Sequence, residues 1–377
     1  MLFTIKLKAQ KNIKEPQMMW QIAISIPPPP GASQQFGVAG AWAGIHHNVL
    51  LIGGGANFPD GMPWLGGKKK YYKDVYAFLK NEEGSLSLLS NNLQLPFPIA
   101  YGASCSTPKG IVCAGGENEQ GLSNQVILLQ WSESEKNISF QSLPPLPLPL
   151  SNPSITHKEN IVYLAGGEGK SGVSTSFFSL DLENTAAGWK VLPSLSQPIS
   201  HAVFVLQSTR KGCFLYLIGG RKRTTSGISD LYSSVFAYDL KKEIWEEKKP
   251  LPYALSAGTG LGYSNNKILL FGGDKGETFH KTEELIAAIN SEKDAAKKEA
   301  LMNQKTALQA AHPGFSKDVL QYNTTTDQWK VIMSIPFDVP VTTVAVSTGD
   351  EVFLTSGEIK AGVRTPYILV GKLKEAK

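Results

Sequence analysis

The chain has few of the residues that mark the common specialised classes. Cys105, Cys113 and Cys213 are the only cysteines in 377 residues. An odd number cannot close a disulfide framework, and each lies in or beside an apolar run, where a buried thiol behaves as a small hydrophobe. No apolar run nears the eighteen or so residues of a membrane-spanning helix, so no membrane association is expected. Charge of one sign is also scarce. The net +5 is spread along the sequence, and its densest run, Lys68-Lys69-Lys70, has no regular aromatic interleaving. It reads as a solvated loop rather than a nucleic-acid surface. None of the six histidines has metal-ligand spacing with another histidine or with a cysteine, so no metal is expected. His46 and His47 are adjacent, and a turn is their default setting. No G-x-S-x-G elbow is present, and no glycine cluster opens a helix to cradle phosphate. The opening "MLFTIKLKAQ" carries a lysine where a signal peptide needs its apolar core, so it reads either without a complete signal or as the remnant of one.

What the chain has is a repeat. Hydrophobic residues make up 42% and charged ones 18%, a globular balance with ample core material. Short apolar runs end in small-residue doublets: "VLLIGGG" (49–55), "GIVCAGG" (110–116), "IVYLAGG" (161–167), "FLYLIGG" (214–220), "KILLFGG" (267–273) and "EVFLTSG" (351–357). The steps 115→166, 166→219 and 219→272 are 51, 53 and 53 residues. An aromatic run, a polar turn and a Trp strand follow most doublets, the last carrying Trp189, Trp245 or Trp329. Four short strands per unit of about fifty residues match the blades of a kelch-type propeller. The glycines are expected where inner strands crowd near the axis.

Six doublets imply six blades, so the expected fold is an all-β, six-bladed kelch-type β-propeller, one domain over residues 1–377. The sixth blade lacks a Trp strand, and "MMWQIAISIPPPP", with Trp20, supplies it. Residues 18–25 are therefore expected to complete that blade and close the ring, leaving no open edge. The step 272→356 is 84 residues, and its excess, residues 277–314, is rich in Ala, Glu, Lys and Leu. This helical insertion in blade five has Thr282 and Ser291 as candidate N-caps and Pro313-Gly314 as its stop. It is either decoration or a lid or wall over one face. The proline runs 27–30 and 143–150 fall at blade junctions and read as spacers.

Loops after equivalent strands of a propeller emerge on one face. Residues 56–60, Glu117-Asn118-Glu119, Glu168, Arg221-Lys222-Arg223, Asp274-Lys275 and Glu358 are therefore expected to converge. Singly, each charge is a solvated loop residue; together, they form a ring suited to a small polar ligand.

Three stretches resemble one family. "GVAGAWAGIHHNVLLIGGGANFPDGMPW" (37–64), "LTSGEIKAGVRT" (354–365) and the helical insertion are similar to the sialic acid mutarotases, also called N-acetylneuraminate epimerases, with a circularly permuted blade order. The resemblance covers essentially the whole chain. It implies cofactor-free interconversion of the α and β anomers of N-acetylneuraminate (sialic acid), with Glu358 as proton-accepting base and Arg364 as essential arginine. It also implies a periplasmic setting, the alternative being the cytoplasm. Asn57, Glu117 and Arg221, each following the doublet of another blade, are the further candidates for substrate contact. The alternative to the enzyme is a non-catalytic kelch propeller that holds a glycan or protein partner on the same loops.

Overall fold

A computed structural model of the chain describes residues 17–29, 31–81, 84–210 and 212–374. The reading of "MLFTIKLKAQ" lies outside these residues. The backbone forms six four-stranded antiparallel sheets. Blade one runs from Trp42–His46 through Val49–Gly53 and Asp74–Lys80 to Leu86–Gln94. Blades two to five repeat this order from Ala103, Ser154, Val203 and Thr259. Blade six takes three strands from the C-terminal end, Ala345–Thr348, Glu351–Leu354 and Tyr367–Lys374, and its outermost strand is Gln17–Ser25. The expected six-bladed propeller and its closing strand are both present.

Among the described residues there is no single central core. Apolar residues form six clusters, one between each pair of neighbouring blades. Leu51, Val75 and Ala77 of blade one meet Ile111, Cys113 and Ile127 of blade two, and Phe353 of blade six meets Leu50 and Phe78 of blade one. Because strand side chains alternate between faces, every middle strand is buried on both sides. That double burial explains the unbroken apolar runs read in the sequence. The recurring tryptophans are staples. The indole N–H groups of Trp189, Trp245 and Trp329 donate to the carbonyls of Pro144, Pro193 and Lys249, each at the end of the preceding blade. Of the three cysteines, Cys113 is fully buried, whereas Cys105 and Cys213 are half-buried, correcting the expectation for those two. Cys105 lies on an innermost strand beside the axial channel.

At the start of the innermost strands the chain makes a closed ring. Gly40 N–H donates to Thr342 O, Thr342 to Ala257, Ala257 to His201, His201 to Asn152, Asn152 to Tyr101, and Tyr101 back to Gly40, over 2.6–3.2 Å. All six residues have positive φ, from 48° to 67°. Five of them are not glycine, and each such residue in the left-handed region costs roughly 1–2 kcal/mol. Six mutually satisfied backbone pairs offset that strain.

The doublets lie against the next blade rather than the axis, which corrects the reason expected for their glycines. Both glycines of the first five doublets have positive φ. A Cβ on Gly166 would stand 2.1 Å from Ile199 O, and one on Gly54 2.5 Å from Ile99 O. The second glycine then donates its N–H across the gap, as in Gly116 to Leu150 O and Gly167 to Ile199 O. Blade six departs from this pattern. Ser356 is the first residue of its doublet, and its hydroxyl accepts from Val38 N–H at 2.8 Å. The proton of the same hydroxyl is shared between Val38 O and Thr365 O. A side chain thus makes the seam that backbone makes elsewhere.

The insertion is two helices, α1 (Glu277–Ser291) and α2 (Ala295–Ala310). The expected N-caps are corrected. Thr282 lies inside α1, donating back to Thr278 O, and Ser291 ends that helix. The chain enters α1 through left-handed Gly276, and Asp294 caps α2 by accepting from Lys297 N–H.

Two outcomes test the closure. Ser356→Ala leaves the Val38 N–H without its partner, and is expected to cost about 1–3 kcal/mol in denaturant unfolding. Deleting residues 1–25 removes the outer strand of blade six and is expected to give an aggregating chain that a synthetic 17–29 peptide restores to a monodisperse species, measured by light scattering.

Candidate active site

Each post-doublet residue bridges, strand-like, to the residue just before a ring member: Ala39 with Ala56, Ala100 with Glu117, Ser151 with Glu168, Ser200 with Arg221, Ser256 with Asp274 and Val341 with Glu358. The ring is therefore a floor, and the six loops expected to converge stand around it. On the other side of the ring, the innermost strands line a channel of about 460 Å³. Its hydroxyls include Ser104 and Ser106, which are occupied by backbone groups of Ala43 and Ile45. The ionisable clusters stand on the loop side.

Glu358 and Arg364 face each other across a short ribbon, Gly357–Lys360 with Val363–Thr365. Directly opposed residues on such a pair project to the same side. The turn between them carries Gly362 at φ +69°, packed against Pro63 and Trp64 of blade one. Gly362 N–H donates to Glu358 Oε1 at 2.8 Å, and Arg364 Nη2 lies 3.4 Å from Glu358 Oε2. The carboxylate is thereby held by one oxygen, with the other turned toward the guanidinium. Arg364 is only 8% exposed and stacks on the Phe58 ring, 4.7 Å from its centroid. Its Nε and Nη1 have no hydrogen-bond partner among the described residues. Buried cationic N–H groups in that condition are costly unless something anionic meets them.

The other candidates sit on the same face in different settings. Asn57 is buried, its amide donating to Gly37 O and accepting from the Tyr72 hydroxyl. Those bonds make it a brace for the blade-one loop. Glu117 Oε1 accepts from the Tyr71 hydroxyl at 2.7 Å and pairs with Lys69 at 3.2 Å. Burial, and then the Glu117 contact, push the Tyr71 hydroxyl far above its usual range. Lys69 also lies over the Tyr101 ring and Lys70 over the Tyr72 ring. Tyr71 and Tyr72 follow the run directly in the sequence and the fold adds Tyr101, while Lys68, Lys69 and Lys70 are all exposed, as the solvated-loop reading expects.

Arg221 Nη2 is 3.1 Å from His201 Nε2, and the guanidinium stacks on Phe279 of α1 at 4.6 Å. Burial pulls the Arg221 guanidinium below its ordinary range. The His201 imidazole falls well below 6.5, chiefly through burial and then through Arg221 and Arg223. α1 is fixed to blade four by Glu283, whose carboxylate accepts from Ser229 N–H and Oγ at 2.8 and 2.7 Å. α2 reaches the Pro63–Leu65 turn of blade one. The insertion therefore packs on the loop face, α1 against blade four and α2 against the blade-one turn. Its exit brings His312-Pro313-Gly314 against Ile359, beside Glu358, and burial lowers the His312 imidazole. His46 and His47 end an innermost hairpin, their rings stacked 3.8 Å apart.

Sequence reasoning placed Phe58 among the converging loop residues without a role of its own, and missed His201, Phe279 and His312. For His201 the signal is weak: every ring residue follows a small or β-branched one (Ala39, Ala100, Ser151, Ser200, Ser256, Val341), 14 residues before the doublet in four blades but 15 in blade five and 18 in the blade of His201. Phe279 and His312 have none, because the insertion occurs in one blade alone.

The sequence model of the N-acetylneuraminate epimerase family matches residues 3–138 and 143–377. A Brucella melitensis protein described as an N-acetylneuraminate epimerase is 25% identical over 253 residues, 66% of this chain and 63% of that protein. A Yersinia pestis protein of the same description is 27% identical over 242 residues, 63% and 59% of the two chains. One from Vibrio vulnificus is 24% identical over 228 residues, 60% and 58%. The matched part is thus less than two thirds of each relative's length. With the family model matched almost end to end, the chain belongs to the N-acetylneuraminate epimerase family.

Proposed function

We propose that the protein is a sugar-acid mutarotase that interconverts the α and β anomers of N-acetylneuraminate at the Glu358–Arg364 ribbon. The observation that carries this reading is the buried guanidinium of Arg364, with two nitrogens unpartnered among the described residues, set against a carboxylate. A binding module has no use for a base fixed beside an anion clamp. The substrate named by the relatives has both groups the pair needs, a carboxylate on the anomeric carbon and an ionisable hydroxyl beside it.

The chemistry follows from the two side chains. Arg364 takes the substrate carboxylate in a planar fork that pairs Nη2 with one of the two unpartnered nitrogens, Nε or Nη1, whose own N–H groups diverge from each other. That places the anomeric hydroxyl at Glu358, whose Oε2 accepts its proton while Oε1 stays on Gly362 N–H. As the hydroxyl oxygen becomes a ketone, the bond from the anomeric carbon to the ring oxygen breaks, and Glu358 returns the proton to that ring oxygen. The open keto acid turns about the bond to its carbonyl carbon while the carboxylate stays held. Closure on the other face runs the same proton transfers in reverse, so nothing is consumed. Glu117 and Arg221 are assigned to contacts with the sugar's hydroxyls and amide, and Asn57 to holding the loop that carries Phe58.

The test is exchange between anomers followed by proton NMR after release of the α anomer, with the buffer rate subtracted. Glu358→Gln is expected to lose about 10²–10⁴ of the rate enhancement with the fold intact by circular dichroism. Arg364→Lys keeps the charge and loses the fork, and is expected to raise KM about tenfold or more with a smaller change in kcat. Binding without exchange in the wild type would return the protein to the non-catalytic reading. Full activity in Glu358→Gln would move the base elsewhere.

A further inference from the structure

Arg221 and His201 meet in a way that fixes where protons sit. A guanidinium nitrogen only donates, so His201 Nε2, 3.1 Å from Arg221 Nη2, accepts. The imidazole is then neutral with its proton on Nδ1. That nitrogen lies 3.0 Å from Ser200 Oγ and 3.5 Å from Glu168 Oε1. Ser200 Oγ in turn donates toward Glu168 Oε1 at 3.1 Å. The backbone that carries His201 is itself fixed. It is a ring member at φ +55°, donating to Asn152 O and accepting from Ala257 N–H. On its far side Arg221 is backed by Phe279 of α1, and Glu168 approaches its Nε at 4.0 Å.

We propose that His201 is a positioning residue for the sugar-acid site: as a neutral acceptor it holds Arg221 at the mouth of the ring, and a second proton on its ring releases that arginine and weakens substrate binding. The assignment rests on the reading that Arg221 contacts the sugar acid.

Protonation would set an N–H donor against an N–H donor at the same short separation, next to a permanent positive charge. The charged groups facing the imidazole are Glu168 on one side and Arg221 and Arg223 on the other. The two arginines and burial outweigh the carboxylate, and hold the ring neutral to well below pH 6.5. A group whose folded pKa is depressed leaves the folded state with fewer bound protons than the unfolded one. Its contribution is therefore present above about pH 6.5 and is lost as pH falls toward the folded value. Glu358 acts on proton transfer, and so on kcat; His201 acts through Arg221, and so on affinity.

The equilibrium Kd for N-acetylneuraminate, measured on the full chain from pH 7.5 down to the lowest pH at which the fold survives, is expected to be flat near neutrality and to rise severalfold only well below pH 6.5. His201→Gln, whose amide oxygen accepts from Arg221 at every pH, is expected to abolish that rise. A wild-type Kd indifferent to pH, or an acid rise unchanged in His201→Gln, overturns the assignment. Imidazole nitrogen NMR of the wild type supplies a readout that needs neither turnover nor the variant's folding. A neutral ring with its proton on Nδ1 at pH 7 is expected, and a ring that is charged there or protonated on Nε2 overturns the proposal. Because Kd needs no chemistry, sugar-acid binding without anomer exchange would sink the mutarotase reading and leave the His201 assignment standing. If the sugar acid does not bind, the tautomer decides.

Discussion

Six backbone hydrogen bonds around the propeller axis set the rest of this structure. Gly40, Tyr101, Asn152, His201, Ala257 and Thr342 each give an N–H to one neighbour and a carbonyl to the next. A closed cycle has no end to fray, so each member's strained left-handed backbone is held by both of its neighbours. From each ring residue an innermost strand descends along the channel. Just before each, a bridge ties in the loop that follows the doublet. The ring therefore converts six sequence-distant loops into one constellation at a common level.

The proposed chemistry sits at the seam of that cycle. Blade six takes its outer strand from the other end of the chain, and in its doublet Ser356 stands where the first five blades have a positive-φ glycine. Its hydroxyl joins Val38 of blade one to Thr365, next to Arg364. On the same side, Phe58 of blade one backs the Arg364 guanidinium, and Pro63 and Trp64 pack on Gly362. The Glu358–Arg364 ribbon is thus supported by two blades that are covalently remote at this point, with α2 bearing on the same blade-one turn. Pre-organisation of this kind is what a carboxylate and a guanidinium need if they are to keep their geometry while a substrate opens and turns.

The blades were legible because their cause is local. Apolar runs, paired glycines and a following tryptophan report double-sided burial, left-handed backbone and a staple to the previous blade. The paired glycines recur in five blades, and the tryptophan staple in blades three, four and five, while the Trp20 indole N–H has no partner among the described residues. The closing role of residues 18–25 was readable because Trp20 repeats the motif that blade six lacks. The ring was not read, because its members share a backbone conformation and no side chain: glycine, tyrosine, asparagine, histidine, alanine and threonine have no common chemistry. The Glu358–Arg364 pair was readable as a motif through family resemblance, whereas the His201–Arg221 contact joins residues 20 apart that only the bridge between Ser200 and Arg221 brings together. The helix caps were misread because Thr282 and Ser291 have suitable side chains, but the chain turns earlier at Gly276 and later at Asp294.

The account comes down to where one carboxylate of a sugar acid is held. A crystal structure of the Glu358→Gln protein soaked with N-acetylneuraminate tests it directly. The substrate carboxylate is expected within hydrogen-bond distance of the Arg364 guanidinium, meeting Nε or Nη1, with the anomeric oxygen against residue 358. A sugar acid bound elsewhere on the loop face, with Arg364 still unpartnered, would contradict it.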